Sequence, residues 1–152
     1  MSKIRLLVLG TGGMAKAHAT AFAQDPRVEM VAACDVMPGR AAEFAAANGM
    51  AKSFENLDEA IMWGGFDAAT NVTPDAIHHP TTMKLLAAKK HVLCEKPLAE
   101  NFALADEMAT AAATAGVINM VNLTYRNVAA LHEARKLVTS GQLGNIRHVE
   151  AS

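Results

Sequence analysis

The stretch Ile4-Arg-Leu-Leu-Val-Leu9-Gly10-Thr11-Gly12-Gly13-Met14-Ala15 decides how this chain is read. Ile4–Leu9 is a near-continuous apolar run, the pattern of a strand covered on both faces in a parallel sheet. Residues 10–13 break it. Residues 14–24 then read as a helix whose inner side, by three- and four-residue spacing, is expected to carry Met14, Ala17, Ala21 and Phe22. The break fits G-x-G-x-x-[G/A]. Gly10 allows a tight turn, Gly12 bares the backbone so that a diphosphate can approach, and Ala15 lets the helix pack closely on the strand. The loop Thr11, Gly12, Gly13, Met14 would then offer the phosphates free N–H groups and the positive end of the helix dipole. A glycine turn without a ligand is the plainer alternative, but a strand before and a helix after are the context that ligand binding requires.

Outward from this turn, strand and helix alternate. Strands are expected at 28–34, 51–54, 68–72, 91–94 and 117–123. A helix opened by Pro38 should bury Ala41, Phe44 and Ala45 and close at Asn48-Gly49. Further helices are expected at 57–62, at 78–88, from the N-cap Asn101 to Ala115, and at 129–139. Such alternation forces parallel pairing through right-handed crossovers: a doubly wound α/β sheet in three layers. Residues 146–151 instead alternate apolar and polar residues, as the first strand of an antiparallel sheet with one wet face would. An unpaired edge there invites pairing with a second copy. The expected division is a dinucleotide-binding domain over 1–122, then a connecting helix and the start of another domain over 123–152.

The composition agrees. Of 152 residues, 51% are hydrophobic and 19% charged, enough for a core and unlike a disordered tail. Fourteen basic against fifteen acidic residues leave a net charge of -1, with neither a nucleic-acid-binding excess nor an acidic block. No apolar run approaches the roughly 20 residues of a membrane span, and the N-terminal run is too short for a signal peptide. The two cysteines, Cys34 and Cys94, form no disulfide framework and read as small buried residues, which points to a reducing, cytoplasmic setting.

The second strand ends at Asp35, about 20 residues past the glycine turn, where an acid accepts the ribose hydroxyls of the adenosine half. A carboxylate there repels a 2′-phosphate, so NAD is favoured. NADP stays open because Arg40 could pair with that phosphate, unless Arg40 is simply a solvated helix residue. Likewise, Asp35 could be only a turn residue.

Farther on stand Asn71-Val-Thr73-Pro74-Asp75, His78, and His91-Val-Leu-Cys-Glu95-Lys96-Pro97. With Gly10-x-Gly12-x-x-Ala15-x-x-His18, and with Leu123-Thr-Tyr125-Arg126 and Leu143-Gly144 downstream, they closely resemble the N-terminal half of the Gfo/Idh/MocA oxidoreductases, over essentially the whole chain. The resemblance implies a Rossmann-type cofactor domain of an NAD(P)-dependent enzyme that moves a hydride between a nicotinamide and a sugar, polyol or related secondary alcohol. It implies that Lys96 lies beside nicotinamide and substrate, that the Lys96-Pro97 bond is often cis, that Thr73 and Pro74 line the cofactor cleft, and that Arg126 lies near the nicotinamide end. Asn71, His78 and Glu95 join the expected cofactor-binding set. The family's second domain, which carries much of the substrate site and of the homo-oligomer interface, has no counterpart here. The chain alone is therefore expected to be inactive. A non-catalytic dinucleotide-binding or regulatory module is the competing function.

Ligands of such sheets sit beyond the carboxyl ends of the strands. Gly10, Asp35, Thr73, Glu95, Lys96 and Tyr125 all follow strand ends, and so should converge. Lys96 is the expected catalytic residue, holding the reacting oxygen and stabilising its charge rather than acting as a general base. A structural Glu95–Lys96 ion pair is the alternative. His18, His78 and His79 lack the spacing of a metal site. Lys89-Lys90-His91 reads as a solvated helix end.

Overall fold

Alternate residues of one strand face opposite sides of a sheet, and here both sides are covered. The computed structural model describes residues 2–150. In β1 (Ile4–Leu9), Leu7 and Leu9 enter one apolar cluster and Val8 the other; in β2 (Val28–Cys34), Ala32 and Cys34 part from Ala33 in the same way. The first cluster packs β4 (Ala68–Asn71) and β5 (His91–Glu95) against α3 (Leu57–Trp63), α4 (Asp75–Ala87) and α5 (Phe102–Ala115), through Leu57, Ala60, Leu85, Leu86, Met108 and Ala112. The second packs the sheet against α1 (Gly13–Ala23) and α2 (Arg40–Ala47), through Ala15, Ala19, Ala41, Phe44 and Ala45. The result is three layers.

With β3 (Lys52–Phe54) and β6 (Asn119–Asn122), the strands form one parallel six-stranded sheet in the order β3-β2-β1-β4-β5-β6. That is the order of the dinucleotide-binding doubly wound fold. It places the switch point between β1 and β4, whose carboxyl ends carry Gly10 and Thr73.

The chain divides into two compact units, one ending at Asn122 and one beginning at Leu123. The second holds a 3-10 turn, Thr124–Asn127, and α6 (Ala129–Thr139). Its residues 146–150 form no strand, contrary to expectation; an alternating segment needs a ladder partner, and the second unit's described residues are turns and a helix. Ala151 lies outside the described residues. No helix among the described residues is long and apolar enough to cross a membrane.

Other boundaries shift for local reasons. The α1 face that packs inward is Ala15, His18 and Ala19, whereas Met14, Ala17 and Ala21 are exposed. Pro38 does not open α2: Gly39 takes a left-handed φ of 79°, donates its N–H to Glu55, and sets the start at Arg40. Helix α4 begins at Asp75 rather than His78 and runs through Pro80. Asn101 caps α5 as expected, its side chain accepting the N–H of Leu104 at 3.1 Å. Lys89 is exposed as expected, but Lys90 is half-buried. Its ammonium donates to the Phe66 carbonyl at 2.7 Å and lies 4.6 Å from that ring's centre.

Candidate functional site

Parallel pairing brings the carboxyl ends of the strands to one edge, and contacts there are backbone-close. Gly10 has φ +85°, and a Cβ on it would lie 2.8 Å from the Val72 carbonyl oxygen and 3.0 Å from the Thr73 nitrogen. Only glycine lets β1 leave the sheet so near the end of β4. The next two glycines are different: a Cβ on Gly12 or Gly13 would meet nothing within 4 Å. Gly12 is the N-cap of α1 and offers no side chain to it, and the first turn carries no acid. No side chain caps the opening N–H groups of α1 and its first turn holds no acid, which fits a diphosphate.

Asp35 closes one side of this turn. Its Oδ2 accepts the Thr11 N–H at 2.8 Å and the Thr11 hydroxyl at 2.6 Å, and its Oδ1 accepts the Met37 N–H at 3.0 Å. Partial burial opposes the charged form, but these donors and the charge of Arg40 outweigh it and hold the carboxyl below its usual range. With Oδ2 filled by two donors and Oδ1 by one, the open lone pair is on Oδ1. Arg40 reaches back to the Thr11 carbonyl at 3.4 Å. It lines, with Thr11, Gly12, Gly13, Lys16 and Glu43, an open cleft of about 580 Å³ between α1 and α2.

At the ends of β4 and β5 the loops are pinned by buried polar side chains. Asn71, fully buried, accepts the Thr73 hydroxyl at 2.7 Å and donates to the Thr81 and Thr82 hydroxyls at 2.8 and 3.0 Å. His78, also buried, places one ring nitrogen 2.8 Å from the Thr73 carbonyl and the other 2.7 Å from the Pro97 carbonyl. The Lys96-Pro97 bond is cis. Asn71 and His78 thus shape the loop carrying Thr73 and Pro74 from behind. Their side-chain polar atoms are bound inside the protein.

Glu95 is likewise held from inside, and the alternative of a Glu95–Lys96 ion pair is not what the structure shows. It is 5% exposed and pairs with His18, not with the side chain of Lys96. Glu95 Oε1 accepts from His18 Nε2 at 2.7 Å and from the Asn122 amide at 2.6 Å, while Oε2 accepts the Lys96 backbone N–H at 3.1 Å. Burial pushes the carboxyl towards its neutral form; the three donors overcome that and keep it below the usual range. Lys96 itself is exposed. Sequence reasoning placed His18 in the family motif, set aside a metal role for it, and missed Thr70 and Asn122. The available signal was a polar residue at the carboxyl end of a strand in an otherwise apolar sheet.

Met14 and Pro74 are exposed beside the turn and Thr73 is half-buried; Tyr125 and Arg126 lie on the 3-10 turn of the second unit. Cys34 and Cys94 are buried, and burial pushes their thiols up to about 12 and about 11, which removes them as nucleophiles at neutral pH.

The family model described as the oxidoreductase family with an NAD-binding Rossmann fold, Gfo/Idh/MocA, matches residues 4–123. The chain belongs to this family. Among similar Gfo/Idh/MocA proteins, glucose-6-phosphate 3-dehydrogenase of Bacillus subtilis is 33% identical over 94% of this chain and 40% of its own length. The scyllo-inositol 2-dehydrogenase (NADP(+)) IolU of the same organism is 30% identical over 98% of this chain and 45% of its own. The WlbA dehydrogenase of Bordetella pertussis, solved with NADH and UDP-GlcNAcA, superposes with a TM-score of 0.90 at 32% identity, over 95% of this chain and 44% of that one. The chain spans less than half the length of these relatives.

Proposed function

We propose that this chain is the NAD-binding part of a dehydrogenase acting on the CH–OH group of a sugar or polyol, with Lys96 as its catalytic residue. One observation carries the reading: the uncapped N-terminus of α1 opens onto unfilled space at Gly12 and Gly13, with the charged Asp35 fixed beside it. The N–H groups of α1 hold the diphosphate, Asp35 takes a ribose hydroxyl on its open Oδ1 lone pair, and Thr73 and Pro74 line the path towards Lys96. A nicotinamide supplies the hydride chemistry when bound. The Lys96 ammonium, on the loop after β5, hydrogen-bonds the reacting oxygen and stabilises its negative charge.

The negative carboxylate favours NAD over NADP, with Arg40 as the group that would admit a 2′-phosphate. Sugar and polyol relatives support the substrate class. The second unit, with Arg126, begins the connection to a substrate domain, through which the complete enzyme forms a homo-oligomer. The two buried, unpaired thiols accord with a cytoplasmic setting. The test is fluorescence titration of the chain with NADH and NADPH. Saturable binding that prefers NADH and weakens in Asp35→Ala supports the reading; a wild-type chain that binds neither overturns it.

A further inference from the structure

The buried carboxyl end of β1 is wholly apolar and that of β4 carries only neutral polar groups, yet β5 ends on a buried charge. A buried carboxylate is expensive unless donors surround it, and an apolar residue would commonly serve stability as well. The geometry shows where this charge is directed. Three elements converge on Glu95: His18 from α1, Asn122 from the end of β6, and the backbone of Lys96, the next residue along.

The His18 ring is held at both nitrogens. A carboxylate only accepts, so His18 Nε2 carries the hydrogen that points at Oε1. His18 Nδ1 lies 2.8 Å from the hydroxyl of Thr70, itself fully buried in β4. The chain of contacts from Thr70 through His18 to Glu95 is unbroken. The Oε1 atom is filled by His18 and Asn122, which leaves Oε2 turned to the Lys96 N–H. The ammonium of Lys96 is left unpaired by Glu95, as no ion pair joins the two side chains among the described residues.

We infer that His18 is a positioning residue for Lys96: with Thr70 and Asn122 it locks the Glu95 carboxylate, which fixes the Lys96 peptide and so the direction in which the amine enters the crevice. The same histidine sits on α1, the helix whose N-terminus faces the diphosphate, so one buried strut links the two ends of the site. The inference rests on the role given to Lys96 above.

Three variants separate the links. His18→Leu removes the ring's donor, whereas His18→Gln keeps an N–H that reaches Glu95. Glu95→Gln presents its carbonyl oxygen to His18 and Asn122 and turns its NH2 on the Lys96 N–H, so it breaks the last link alone. The readouts are the Lys96 amide resonance in ¹⁵N spectra of the chain, the rate at which an N-hydroxysuccinimide ester acylates Lys96, by mass spectrometry with and without NAD, and the NADH Kd. In wild type, NAD is expected to slow Lys96 acylation about tenfold, the scale of one charge-assisted contact. In His18→Leu and Glu95→Gln that protection falls below about twofold, the Lys96 amide moves upfield as its carboxylate acceptor is unlocked in the first and neutralised in the second, and the Kd stays within about threefold because the diphosphate loop is untouched. His18→Gln keeps wild-type behaviour. A purely structural histidine would lower stability without moving the amide or the protection. Unchanged protection and an unchanged amide in Glu95→Gln overturn the inference, even if His18→Leu fails to fold. A wild-type chain that binds no NADH overturns the proposed function instead; the amide shift and the cofactor-free acylation rate then still decide the strut.

Discussion

Gly10→Ala and Gly12→Ala add the same methyl group two residues apart, and their effects should be opposite in kind. At Gly10 the backbone lies at φ +85°, a conformation that costs a Cβ-bearing residue roughly 1–2 kcal/mol. The new Cβ would also lie 2.8 and 2.9 Å from the Val72 carbonyl oxygen and carbon, which are backbone atoms and cannot rotate away. Moving the end of β4 to relieve such overpacking adds about 1–3 kcal/mol. The total, about 2–5 kcal/mol, is a large part of the stability of an ordinary domain. At Gly12, φ -75° and ψ -165° are open to alanine, and its Cβ meets nothing within 4 Å. Stability should stay within about 0.5 kcal/mol of wild type. The methyl instead stands where a diphosphate must approach, so NADH affinity should fall about tenfold or more, the scale of one lost charge-assisted hydrogen bond. Urea unfolding followed by circular dichroism measures the first effect and NADH titration the second. A Gly10→Ala chain as stable as wild type, or a Gly12→Ala chain with wild-type affinity, would refute the reasoning.

Acid should unfold the chain by protonating carboxylates that the fold holds charged. Asp35 and Glu95 have depressed folded-state pKa values, so their contribution is complete above the usual Asp and Glu ranges near pH 3.9 and 4.3 and is lost as pH falls through the lower folded values. Hydrogen bonds from Arg27 and Arg5 hold Asp25 and Asp67 at about 2, which extends the same slope downwards. Urea midpoints measured from neutral to acid pH should fall more gently in Asp35→Asn, and identical slopes would count against the assignment. Cys34 and Cys94 should be silent to a thiol reagent in the native chain and both react after denaturation; a fast native signal would contradict their burial. Asn101→Ala should cost about 1 kcal/mol by unfolding equilibrium, from loss of the α5 cap.

The strands were legible because burial on both faces leaves unbroken apolar runs such as Ile4–Leu9, and the glycine spacing marked the turn at which β1 gives way to α1. The inner face of α1 was not. Five alanines in eleven residues give no contrast between sides, and the decisive inward residue, His18, is polar. The start of α4 lies at Asp75, directly after Pro74, three residues ahead of the expected His78, and Pro80 lies within the helix as the expected span already had it. At the site, the residues following strand ends could be named from topology alone, but which atoms face solvent could not. Asn71, His78 and Glu95 look like ligand-binding polar residues in the sequence. Only their partners, up to 77 positions away, show them turned inward.

The central place of β1 has a consequence for the way the chain is made. One flank of β1 pairs with β2, but Leu6 waits for Ala68 on the other, about 60 residues later, which at about 5–20 residues per second of synthesis is roughly 3–12 s. For that interval a nascent hairpin-sized intermediate carries a bare row of amides beside its greasiest side chains as it leaves the ribosome. Chaperone demand should therefore be set by how fast β4 is translated, and slowing the codons before Ala68 should trap more nascent chain on a holdase than slowing those after Glu95.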